Sequence, residues 1–310
     1  MLQFQPPGFG QQVIPTSLGV MVYYTPIVDS WPIGPATQTL PPLVFLHSLG
    51  GGSSAYEWSK VYPAFAAHYR IIAPDLIGWG QSTHPVREYR VEDYLRILTE
   101  LLQWIGEPAT IVASSLTAGL VIRLAIQRPE FFKRLFLVAP AGYADFGADY
   151  GQNLAARIAG LPLIDRLIYQ VGAANELAVR NFMERFLFAD RSRITAEMIA
   201  AYLASAQQMN AEYAALASLK GDLCFDLSLY MPQLQVPTDL VWGERSRFSN
   251  ASVGKRLASL NPKWVRLREP IPEAGVLAHL ECPALVINQL WQTLDQLEEI
   301  FSTKGYISTS

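Results

Sequence analysis

Serine chemistry in this chain would begin at Ser115. Residues 110–119 read Thr-Ile-Val-Ala-Ser-Ser-Leu-Thr-Ala-Gly, a run of strand formers that stops at two serines before helix formers begin. A strand turning abruptly into a helix lifts one side chain above the sheet edge, and the first helical turn leaves backbone N–H groups free for an anion. Ser115 is the residue so placed. Its hydroxyl is a weak nucleophile until a neighbouring base takes the proton and a third group orients that base. The same serine can also cap the helix, a position at which serine ranks among the best residues. Taken alone, residues 110–119 favour the cap.

The elements that must position Ser115 are legible in chain order. Residues 12–25 hold two β-rich runs split at Leu18-Gly19, which predicts an opening hairpin. A proline-rich excursion over 29–42 follows. Leu43-Val44-Phe45-Leu46 is a short continuous apolar strand ending in His47-Ser48-Leu49-Gly50-Gly51-Gly52, and a glycine-rich loop at a strand's C-terminal end is where ligands bind in open α/β sheets. Ser53 or Ser54 can cap a helix running through Trp58 to Phe65. Arg70-Ile71-Ile72-Ala73-Pro74 predicts the next strand, and Gly78 and Gly80 permit a tight reversal behind it. Tyr94, Leu95, Leu98, Leu101, Leu102 and Ile105 mark one helix face. Leu135-Phe136-Leu137-Val138 is another buried strand. Strand and helix alternate as in a parallel sheet with right-handed crossovers.

The pattern changes over 145–231 to helical segments without strands, at 153–158, 163–169, 174–188 and 196–209. This predicts a helical cap, with residues 1–144 and 232–310 forming the core. Strands resume at Thr238-Asp239-Leu240-Val241 and at Trp264-Val265-Arg266-Leu267, and an amphipathic helix over 284–301 closes the chain.

Composition bounds the partners. Charged residues are 16% of 310 and half the chain is apolar, against about 25% charged in ordinary soluble proteins, so apolar surface is expected to line a pocket or face a membrane. A net charge of -3 and a pI near 5.9 offer no basic footprint for nucleic acid. Cys224 and Cys282 make no disulfide framework, and neither stands in metal-ligand spacing; no cofactor or metal is expected. Residues 1–7 show neither a basic nor an apolar leader region, and the uncharged stretch 109–122 is too short to span a membrane, which needs about 20 apolar residues. The expectation is a cytoplasmic protein with no transmembrane segment, its apolar composition leaving peripheral contact with a membrane open.

This order of elements resembles the α/β-hydrolase family along nearly the whole chain. The resemblance implies an eight-stranded, mostly parallel sheet with helices on both faces and a cap inserted after strand six. Residues 47–52 look like that family's oxyanion loop, 75–82 like its Asp-x-x-Gly-x-Gly-x-Ser turn, and Ala113-Ser114-Ser115-Leu116-Thr117 like its nucleophile elbow, usually Gly-x-Ser-x-Gly. Ser115 falls at the nucleophile position, and by analogy the N–H groups of Leu49 and Leu116 line the oxyanion hole. Thr117, bulkier than the family glycine, is expected to crowd the elbow. Residues 50–59, 210–216 and 221–227 are similar to hydrolase-like chains of cyanobacteria and plastids, the neighbourhood of chlorophyll dephytylase and pheophytinase.

The resemblance also marks two departures. The family histidine position is Val276 and the acid position, after Trp242-Gly243-Glu244-Arg245, is Ser246. Removal of a key triad member lowers kcat by roughly 10⁴ to 10⁶. His279 stands three residues beyond Val276 as a substitute base, although a structural role is the stronger expectation for it; His47 is expected to support the oxyanion loop. His68 and His84 read as surface residues, Glu244 as a carboxylate near the acid position, and Asp145 as a solvated loop residue. The leading expectation is a hydrolase-like pseudoenzyme binding an apolar or lipid-like small molecule, or a protein partner. The alternative is a serine esterase or acyl-transfer enzyme using Ser115 with an unconventional base.

Overall fold

A computed structural model describes residues 2–27, 40–148, 174–247, 249 and 251–305. Strands β1 (Phe9–Thr16), β2 (Gly19–Pro26), β3 (Pro42–Leu46), β4 (Arg70–Pro74), β5 (Ala109–Ser114), β6 (Phe132–Val138), β7 (Thr238–Val241) and β8 (Val265–Leu267) form one eight-stranded sheet in the order β1-β2-β4-β3-β5-β6-β7-β8. β1 pairs antiparallel with β2 and β2 with β4; every other pairing is parallel. Every residue of β3, β5 and β7 is buried, as continuous Val, Ile, Leu and Phe runs demand when helices cover both faces.

Helix α1 (Val91–Ile105) buries the stripe anticipated from its spacing. It starts where the Asp93 carboxylate accepts the Arg90 N–H at 3.0 Å and stops at Gly106, φ 78°, the left-handed position glycine takes at helix ends. Helix α2 (Ser115–Gln127) follows β5 without a connecting residue and is buried over most of its length.

Between β6 and β7 the described residues form helices and no strand: α3 (Glu176–Phe182), which widens into a π turn over Met183–Leu187, then α4 (Ala196–Ala206) and α5 (Ala211–Lys220). The helices anticipated at 153–158 and 163–169 lie outside the described residues. Helix α6 (Ala251–Ser259) precedes β8, and the short α7 (Ala278–Glu281) leads into α8 (Pro283–Gly305). No described helix is long and apolar enough to cross a membrane.

One local expectation changes. Instead of a single helix through Trp58 to Phe65, the chain makes two 3-10 turns, Ala55–Trp58 and Tyr62–Phe65. Pro63 removes a donor at the start of the second turn, and Tyr56, Trp58, Tyr62 and Phe65 all sink into the interior, which a one-sided α-helix would not allow. The turn at 75–82 has the structural role expected of it. The Asp75 carboxylate accepts the N–H groups of Ala55 at 2.7 Å and Gln81 at 2.8 Å, and a Cβ at Gly80 would lie 2.2 Å from that carboxylate.

Candidate active site

β5 and α2 meet at Ser115, whose φ of 54° places a non-glycine residue in the left-handed region, a conformation that costs about 1–2 kcal/mol. The strain raises the hydroxyl above the sheet edge, where it faces a cavity of about 120 Å³ between sheet and cap. Apolar side chains dominate the wall, with Leu49 and Leu116 beside the serine, Val276 and Leu277 across it, and Phe182 and Leu187 contributed by the cap. Leu116 is the second residue of α2, so its N–H has no intrahelical acceptor. The Leu49 N–H makes no backbone hydrogen bond among the described residues. Both residues line the cavity with Ser115.

The serine hydroxyl has a partner that residue patterns did not disclose. Its Oγ lies 2.8 Å from the Oη of Tyr143, a half-buried tyrosine that is itself left-handed at φ 63°. Burial pushes the Tyr143 pKa up, and the bond to Ser115 only partly offsets this, so the phenol is a proton-bearing group and a poor base at neutral pH. The elbow's closest backbone approach falls at Gly119, where a Cβ would lie 2.5 Å from the Ala141 carbonyl oxygen. Thr117 is fully buried in α2 and is not among the residues lining the cavity.

Val276, to which the resemblance gave the histidine position, lies in the cavity wall with Ser115. Ser246 is buried after β7 and its Oγ has no hydrogen-bond partner among the described residues. The neighbouring Glu244 accepts the Glu273 N–H at 3.3 Å. The loop carrying Val276 is held from behind by Glu281, whose carboxylate accepts the N–H groups of Gly275 at 2.7 Å and Asp190 at 2.8 Å.

His279 is not among the residues lining the serine's cavity. Its ring is fully buried, stacks on Trp58 with centroids 3.9 Å apart, and brings Nε2 to 3.9 Å from the Glu57 carboxylate. Burial lowers its pKa, an effect the Glu57 carboxylate partly offsets. His47 accepts the Leu76 N–H on Nε2 at 2.9 Å, while Nδ1 lies 2.6 Å from the Ser48 carbonyl oxygen, and the two contacts brace the oxyanion loop. His68 is exposed as expected, but His84 is half-buried and its Nε2 has no partner among the described residues. Asp145 also departs from expectation: its carboxylate accepts the N–H groups of Gly142 at 3.0 Å and Leu227 at 2.9 Å, tying the segment after β6 to the end of the cap region.

Glu57 is the second residue that sequence reasoning passed over. It is fully buried behind the cavity wall. Its carboxylate accepts the Ser48 N–H and the Ser48 Oγ–H, each at 2.8 Å, and the Tyr202 hydroxyl from α4 at 2.9 Å. Burial works to raise its pKa, but the His279 and His47 rings and the Ser48 N–H outweigh it and bring the pKa down to about 2. The oxyanion loop is thereby bolted to α4, where a Cβ at Gly52 would meet the Tyr202 carbonyl oxygen at 2.7 Å.

Fold, elbow and oxyanion amides together define an alpha/beta hydrolase architecture. The alpha/beta hydrolase family profile matches residues 43–289, and the chain belongs to that family. It is 29% identical over 232 residues to a 2-hydroxy-6-oxo-6-phenylhexa-2,4-dienoate hydrolase of Delftia acidovorans, covering 71% of this chain and 76% of that protein. An uncharacterized protein of Mycobacterium tuberculosis is 34% identical over 124 residues, 40% of this chain and 34% of its own length, so the match spans about a third of that relative. Among solved structures, a serine hydrolase of carbazole degradation superposes with a TM-score of 0.73 at 20% identity, covering 93% of this chain and 99% of that one. A carboxylesterase from Bacillus subtilis gives 0.73 at 19% identity, covering 94% of each.

Proposed function

We propose that this chain is an alpha/beta hydrolase that has exchanged triad chemistry for binding, holding an apolar ligand in the cavity at Ser115. One observation carries this: the serine hydroxyl is paired with the Tyr143 phenol at 2.8 Å while Val276 fills the wall where the base would stand. A phenol that keeps its proton cannot activate a serine at neutral pH. A volume of about 120 Å³ suits a small apolar group or the end of a longer one.

The test is a fluorophosphonate probe, which reports an activated serine without knowledge of the substrate. No covalent adduct at Ser115, together with no turnover of a short-chain aryl ester, is expected. An adduct at Ser115 and ester turnover lost in Ser115→Ala would establish the opposing serine esterase, for which the retained left-handed serine and the two free amides speak.

A further inference from the structure

The sheet ends at β1, which pairs with β2 alone. Opposite residues of an antiparallel pair either exchange both backbone hydrogen bonds or exchange none. Val13 stands opposite Val22 and Pro15 opposite Val20. The N–H groups of Val22 and Val20 turn away from β1, to the hydroxyls of Ser82 at 2.8 Å and Thr83 at 2.9 Å. The odd-numbered residues of β1 therefore direct their backbone groups outward from the sheet. Phe9 has its N–H occupied by the Pro6 carbonyl at 3.2 Å, and Pro15 has none to give. Between them, Gln11 and Val13 each hold out one N–H and one C=O with no hydrogen-bond partner among the described residues.

A long open edge is ordinarily guarded by charge, a bulge or proline. β1 reads Phe-Gly-Gln-Gln-Val-Ile-Pro-Thr, without a charged residue, and its proline blunts only one end. Gln11, Gln12 and Val13 are all exposed, Val13 by 57%. Exposed Val20 and, from α1, exposed Trp104 flank them; Trp104 packs on Tyr23, the residue opposite Gln12. This short run of donors and acceptors, bracketed by residues that cannot donate, is complementary to itself under a twofold axis. An antiparallel copy centred on Gln12 sets Gln11 of each chain opposite Val13 of the other, and each such pair exchanges both of its bonds. Sliding Val13 opposite Val13 would face Gln11 with Pro15, which returns no bond. Sliding the other way would face Val13 with Phe9, whose N–H is taken. The geometry points to a second copy of this chain as the occupant of the edge, paired β1 to β1 so that two eight-stranded sheets run on as one. A closed twofold covers the edge on both copies, so association stops at the dimer.

Sedimentation velocity of the full chain over about 1–500 μM tests this, a range suited to the weak affinity of a small interface. A reversible monomer–dimer equilibrium is expected, and a single monomeric species throughout overturns the inference. Val13→Pro removes an outward donor from each copy and breaks no hydrogen bond of the monomer, as proline on a solvent-facing edge allows. It should weaken the dimer at least about tenfold; a dimer that it leaves unchanged assembles elsewhere and overturns the inference. Gln12→Cys keeps every backbone group, so it tests the register even where the proline variant does not fold. Residues facing each other across the axis without exchanging bonds have Cα atoms about 4.5 Å apart, within disulfide reach. Mild oxidation should give a covalent dimer from Gln12→Cys, and from Val13→Cys none above the native background set by Cys224 and Cys282. Any other pattern in a solution that sediments as dimer overturns the pairing.

Discussion

The Ser115 Oγ and the Tyr143 Oη share one hydrogen bond of 2.8 Å, made between two residues that both hold left-handed backbone. Tyr143→Phe removes that bond while leaving ring packing intact. The expected cost is about 1 kcal/mol, the ordinary net worth of a hydrogen bond, measured by denaturant unfolding. Because the phenol is not a base, Tyr143→Phe should leave fluorophosphonate reactivity as low as in the native chain. Loss of an existing reactivity in this variant would identify Tyr143 as the activating group.

Val276 and Ser246 stand at the positions that the family resemblance gives to the triad histidine and acid. The pair Val276→His and Ser246→Asp is expected to create hydrolysis of p-nitrophenyl acetate above either single variant. A positioned general base contributes about 10²–10⁴ in rate, and part of that should appear only when both substitutions are present. Equal rates in the double and Val276→His variants would show that position 246 does not face the imidazole.

Gly119 is set by contact with backbone. Alanine normally gains about 1 kcal/mol over glycine inside a helix. Here its Cβ would meet the Ala141 carbonyl oxygen at 2.5 Å and the Phe225 ring at 3.1 Å, an overpacking worth about 1–3 kcal/mol. Gly119→Ala is therefore expected to lower Tm; a rise in Tm would mean that the β6 exit yields easily.

Glu281 holds the wall that carries Val276. Its side chain is fully buried in hydrogen bonds to Gly275, Ala189 and Asp190. Glu281→Gln turns one acceptor into a donor facing N–H groups, an expected loss of about 2–3 kcal/mol given the strength of hydrogen bonds to charged groups. Chemical unfolding checks the value, and a change below about 0.5 kcal/mol would show that the loop repacks.

Two titratable groups give stability a pH dependence. Burial lowers the His84 pKa from 6.5 to about 4, so the unfolded chain takes up the proton first as pH falls. Stability from this source is lost between about 6.5 and 4, and His84→Gln should flatten that part of the profile. Glu57, held down to about 2, contributes stability that is complete above its unfolded value and lost as pH falls through its folded one. A native-chain Tm that is flat from pH 7 to 4 would contradict the His84 assignment.

Much of this molecule is written locally. Continuous apolar runs such as 43–46 and 135–138 bury both faces in a covered parallel sheet, the α1 stripe repeats at helical spacing, and the strand-to-helix switch at Ser114-Ser115 is visible in the residue types on either side of it. The absence of histidine at 276 and of an acid at 246 is likewise plain from residue identity. The single helix expected through Trp58 to Phe65 is two 3-10 turns because the aromatic residues of the segment are all buried, a tertiary fact.

What sequence could not disclose are contacts between residues far apart in the chain. Tyr143 sits 28 residues from Ser115, and nothing in its neighbours announces that its backbone turns left-handed and aims the phenol at the serine. Glu57 and Tyr202 are 145 residues apart, so only folding brings the tyrosine hydroxyl to the buried carboxylate. Local periodicity and propensity determine which elements form and which residues stand at their ends. Which side chains meet, and what charge stands behind a cavity wall, is decided by packing between elements, where the energetic cost of burying Glu57 without partners admits only an arrangement that supplies them.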